Sequence, residues 1–161
     1  MFKGVKRCLM AMVMMAGLTM MASAEEANPN LIMPNPEIAP AEVVEIQMMA
    51  LQNNDRVEDD LGILQTWTFA HPDNKAVTGP YRRFASMIKT PTYAPMINHR
   101  NHRILKQQEG EGQVEFLVEM ESQDNKLYRF VWVVKQVTGG SLDKCWMTAA
   151  VSAPQPLGQG S

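Results

Sequence analysis

The chain has 161 residues, room for one ordinary domain and not for two. Hydrophobic residues make up 45% and charged residues 20%, a globular composition that excludes a disordered or collagen-like chain. The formal charge is −2, but Lys3, Lys6 and Arg7 lie in the first 24 residues with no acid beside them, so the remainder is near −5. Such a body is a poor partner for nucleic acid, which needs a basic surface.

Residues 1–24 read as a signal peptide. A basic stretch, Met1–Arg7, precedes an apolar run, Cys8–Met21, and Ala22-Ser23-Ala24 offers small residues to a peptidase. The run is about 14 residues, short of the roughly 20 that a membrane-spanning helix needs. An uncleaved anchor is the weaker alternative. Export to the periplasm or the extracellular space is the expectation, with no stable membrane span after cleavage. Cleavage removes half of the fourteen methionines and leaves Cys145 as the sole cysteine, which cannot form an internal disulfide.

Residues 25–40 read as a proline-rich linker, extended because Pro29, Pro34, Pro36 and Pro40 remove amide donors. Three helices follow. Val43, Val44, Ile46, Met48 and Leu51 recur at helical spacing behind Pro40, and Asn53-Asn54-Asp55 ends that helix. Asp59 or Asp60 caps a second helix carrying Leu61, Ile63, Leu64, Trp67 and Phe69, with Gly62 marking a kink or a close approach. His71-Pro72 stops it, and Gly79-Pro80 opens a third around Tyr81, Phe84, Met87 and Ile88. Alternation then takes over. A strand from about Arg103 to Gln108 leads to one at Val114–Met120, a turn at Gln123–Lys126, a longer strand at Leu127–Val137 and a last one at Cys145–Ser152. The order predicts a single α+β domain over 41–152, with three N-terminal helices packed on a curled antiparallel sheet of about four strands. Residues 153–161 read as a disordered polar tail.

Several segments together resemble the domain of unknown function 4864 family. They are Ala50-Leu51-Gln52-Asn53-Asn54-Asp55, the stretch 62–74 with its Trp67-Thr68-Phe69-Ala70-His71-Pro72-Asp73-Asn74, then Gly79-Pro80-Tyr81-Arg82-Arg83-Phe84, Tyr93, Asn98-His99-Arg100 and Cys145-Trp146-Met147-Thr148. The resemblance implies a relationship to the nuclear transport factor 2-like superfamily, a cone-shaped α+β fold with a cavity. That superfamily includes isomerases, dehydratases and non-catalytic binding modules. The resemblance brings no catalytic residue with it.

The chain lacks a phosphate loop, a nucleophile elbow, a paired-cysteine metal motif and a dinucleotide fingerprint. No cofactor is expected. Asn98-His99-Arg100-Asn101-His102-Arg103 repeats one triplet. Its histidines are spaced to share a metal on a turn, but the flanking arginines repel a cation, and no metal site is assigned. The sharper expectation makes His99, Arg100, His102 and Arg103 a cationic lip for an anionic ligand, against a solvated strand entrance. Trp67, Tyr81, Tyr93 and Trp132 are candidate cavity-wall residues for an apolar ligand. His71 and His99 are the weak catalytic candidates, although His71-Pro72-Asp73-Asn74 more often makes a capped turn. Asp55, Glu58, Asp59 and Asp60 read as helix caps, and Cys145 as a small buried apolar group. Two functions are thus expected to compete. One is a non-catalytic ligand- or partner-binding module, with a homodimer through the sheet as one form. The other is a small cofactor-independent lyase or isomerase using the same cavity.

Overall fold

The computed structural model describes residues 28–160. The expected signal peptide and the first residues of the expected linker lie outside the described residues. The architecture is α+β, four helices on an open antiparallel sheet of five strands, in the cone-like helices-then-sheet order.

Helix α1 (Pro40–Gln52) starts with proline at its first turn and buries Val43, Val44, Gln47, Met48 and Leu51. Helix α2 (Leu61–Thr68) crosses it at Gly62, where a Cβ would drive into the Ala50 carbonyl. The expected close approach is therefore the reason for this glycine. The expected aspartate cap is not made. Asp60 has left-handed backbone and no side-chain cap bond, and the Asn54 Oδ1 accepts from the Ile63 N–H at 2.9 Å instead. Helix α2 ends before His71-Pro72 as expected, but the pair also opens an unexpected helix: α3 (Pro72–Thr78) has proline in its first turn and the His71 side chain as its cap. It escapes periodicity because it buries no residue. The expected third helix is α4 (Tyr81–Ile88), which buries Phe84 and Ile88.

Strands β1 (Asn101–Gly110), β2 (Gln113–Glu121), β3 (Lys126–Gln136) and β4 (Trp146–Val151) form a meander in chain order. Irregular register near Gln108 and Val133 adds local twist, which curls the sheet round the helices. Val114, Phe116, Val118, Met120, Phe130, Trp132 and Val134 face inward and join the helices in one apolar core. Two expectations about the chain ends are corrected. The tail 153–161 holds strand β5 (Gln155–Gln159), paired with Lys126–Arg129 of β3. β3 has 11 residues and β4 only 6, so the returning chain fills the edge that β4 leaves open. From Asn28 the expected tether is docked. Ile32 exchanges backbone bonds of 2.7 and 2.9 Å with the Gln65 amide, and Ile38 is buried in the core.

Candidate functional site

A cavity of about 400 Å³ lies between α3, α4 and the inner face of β3–β4. Phe84, Met87 and Ile88 of α4 form one wall, and Tyr93, which precedes the following 3₁₀ turn (Ala94–Met96), and Met96 within it continue that wall. Ala149–Val151 of β4 form the facing wall. Helix α3 supplies Asn74, Val77 and Thr78 at the outer side, and Trp132 closes the inner end. The walls are mostly apolar, as in small-molecule sites.

The polar groups at the inner end bond to one another. Gln47 Oε1 accepts from Trp132 Nε1 at 3.0 Å and from Thr148 Oγ at 2.5 Å, and Gln47 Nε2 donates to the Thr66 carbonyl at 2.9 Å. The Thr66 hydroxyl donates back to Gly62 in its own helix. At the outer side Asn74 donates to the Thr148 carbonyl at 3.1 Å and accepts from Thr78 at 3.2 Å. These donors are already committed to protein acceptors, which suits a largely apolar guest. Asp73 and Tyr93 are the ionisable groups of the wall. Asp73 stands at the rim with its side chain 73% exposed and lies 3.4 Å from Lys135.

The sequence candidates separate. Trp132 and Tyr93 line the cavity. Trp67 and Tyr81 pack beside it: Trp67 touches Phe84 and Tyr81 with ring centroids 5.1 and 6.3 Å away, and Lys75 sits over its face.

His71 is buried outside the cavity wall. Its Nδ1 accepts from the Asp73 N–H at 3.1 Å, which places the neutral ring's proton on Nε2. Among the described residues Nε2 is buried with no hydrogen-bond partner. Burial pushes the pKa below the ordinary imidazole value, with the Asp73 carboxylate opposing. The 3.5 Å approach of that carboxylate is then a contact with a neutral ring. His71 is a helix cap and is not among the residues that line the cavity.

The cationic lip is not assembled. Arg103 and Arg129 both bind Glu119, at 2.5 and 2.6 Å, and Arg100 lies 4.0 Å from Glu121. The Arg129 bond first, then that of Arg103, holds the Glu119 carboxyl below its usual range. None of Arg100, Arg103, His99 and His102 lines the cavity. Cross-strand acids answer the arginines, which removes the geometric premise for an anion at this spot. His99 is buried, its Nδ1 2.8 Å from the Met96 carbonyl oxygen and its Nε2 2.9 Å from His102 Nδ1. Burial lowers its pKa to about 4. Cys145 is buried just before β4, and burial raises its thiol pKa, so it reads as the inert small group expected.

Sequence reasoning missed Gln47 and Thr148. The signal for Gln47 was present: it stands four residues from both Val43 and Leu51, on the apolar stripe, where an amide needs a partner. Thr148 carried no such mark.

The family model described as Domain of unknown function (DUF4864) matches residues 36–157, and the chain belongs to that family. No curated protein and no solved structure matches the chain.

Proposed function

We propose that the chain is an exported, non-catalytic binding module whose cavity holds a small, neutral, largely apolar ligand. The observation that carries the reading is the cavity's inner end, where Gln47, Trp132 and Thr148 satisfy one another. Among the described residues a charged group driven in there meets no free counter-charge and loses its hydration, whereas an apolar body loses nothing. The catalytic alternative needs a base within reach of a bound substrate. Its two candidates, His71 and His99, point at Asp73 N–H and at Met96 and His102 instead. Export is supported by the basic–apolar–Ala22-Ser23-Ala24 order. Among the described residues no helix is long and apolar enough to cross a membrane.

The test is fluorescence titration with the neutral probe N-phenyl-1-naphthylamine and its anionic relative anilinonaphthalene sulfonate. The neutral probe binds at least tenfold more tightly if the reading holds. Ala150, exposed at the cavity wall, is the place to block it. Ala150→Trp should lose the probe while its melting temperature stays within a few degrees. Equal binding to parent and Ala150→Trp would put the probe elsewhere and end the proposal. Intact mass of exported material beginning at Glu25 tests the localisation.

A further inference from the structure

The two histidines of the repeated triplet do something the cavity alone does not require. The Met96 carbonyl can only accept, so His99 Nδ1, 2.8 Å away, carries a proton. One proton fits between His99 Nε2 and His102 Nδ1, which are 2.9 Å apart. At the far end His102 Nε2 faces Glu45 Oε2 of α1 at 3.4 Å, and that carboxylate also accepts. Three contacts in series therefore call for three ring N–H groups. Two neutral imidazoles carry two, and two imidazoliums carry four. With two, a lone pair faces a lone pair or the carboxylate; with four, N–H meets N–H between the rings.

The surroundings add little competing charge. Across the sheet His102 is followed by Met120 on β2 and Tyr128 on β3, the latter paired with Pro156 of β5. Glu119 and Glu121 alternate to the other face of β2, where Arg103, Arg129 and Arg100 meet them. Asp55, beyond α1, is bonded to Asn98. A metal ion between the rings is the other possible occupant. The 2.9 Å separation is a hydrogen-bond length, and no third His, Cys, Asp or Glu ligand converges among the described residues.

We propose that His99 and His102 form a proton latch on the cavity: three ring protons tie the Met96 wall to α1, and a fourth, taken from solvent, splits the rings and loosens that wall. The inference rests on the cavity reading, because Met96 lines the cavity and α1 carries Gln47 at its inner end. Burial opposes the fourth proton, and acid must supply it.

The experiment follows the full chain by NMR, with ¹⁵N-labelled histidine and methyl-labelled methionine, from pH 7 to pH 4. The expected result is three protonated nitrogens on the two rings ahead of the acid transition, then one coupled step below about pH 5 that moves both rings and the Met96 methyl together. Glu45→Gln should show two, because its amide donates to His102 Nε2 and completes the array with neutral rings. Two protonated nitrogens in the parent, or a Met96 signal indifferent to the ring titration, would overturn the latch. So would stoichiometric zinc that shifts both rings at pH 7 and is removed by chelator. Binding of N-phenyl-1-naphthylamine, expected to weaken about tenfold between pH 7 and pH 4.5, is read separately. A probe that never binds overturns the cavity reading, while the ring count and the Met96 signal still decide the latch.

Discussion

His99 has a folded pKa of about 4 against 6.5 for the free ring, with burial the first cause. The folded chain thus binds fewer protons than the unfolded one between those values, and stability falls as pH drops from about 6.5 to about 4. At about 1.4 kcal/mol per pKa unit the loss from this ring is about 3 kcal/mol. Denaturant midpoints at pH 6.5 and pH 4 measure it, and His99→Gln should flatten the difference. His71 is shifted the same way and adds to the slope. A second residue-scale prediction concerns Gln47 and Thr148, whose 2.5 Å contact is buried. Thr148→Val and Gln47→Met should each cost about 1–3 kcal/mol, since each leaves a buried polar atom short of a partner. The double variant should cost less than the sum, with a coupling of about 0.5–3 kcal/mol in a double-mutant cycle. Strict additivity would mean that the two side chains do not share the bond. Such pairs are hard to see in a sequence because the partners are far apart: 101 positions separate Gln47 from Thr148, and 57 separate Glu45 from His102. The repeated triplet was visible, but its answering acids, Glu119 and Glu121, become neighbours only through the β1–β2 register.

Gly62 shows packing overruling propensity between elements. In an isolated helix alanine improves on glycine by about 1 kcal/mol. Here the added methyl would meet the Ala50 carbonyl and the Asn54 backbone, neither of which can swing aside as a side-chain tip would. Gly62→Ala is therefore expected to destabilise by about 1–3 kcal/mol, read from a chemical denaturation curve. A stabilised variant would show that α1 and α2 slide apart freely. The legible elements were those with a repeating apolar face: α1 with Val43, Val44, Met48 and Leu51, and β2 with Val114, Phe116, Val118 and Met120. The illegible ones bury nothing of their own. Helix α3 has no buried residue and hangs on its cap and on Asn74. Strand β5 is exposed along its length and contains Pro156 and Gly158, so only the unpaired end of β3 explains it.

Across the described residues, charge is held on the outer face of the sheet and at the cavity rim. The arginines of β1 and β3 are held on β2 carboxylates, Lys135 lies near Asp73 at the rim, and the cavity interior is apolar or internally hydrogen-bonded. A neutral guest held this way feels no ion atmosphere, whose reach is about 10 Å at 0.1 M salt. An anion drawn to surface arginines would be screened as salt rises. The expected result is an affinity for the neutral probe that changes less than about twofold between about 50 mM and about 500 mM salt. Binding also has to appear as stability, because a guest that enters only the folded state shifts unfolding by mass action. At one hundred times its dissociation constant it should stabilise the chain by about 2.7 kcal/mol, at both salt concentrations. Calorimetric melts with and without probe measure this directly. A shift that vanishes in high salt would place the guest on the charged surface of the sheet, among Arg103, Glu119 and Arg129, and not between the helices and Trp132.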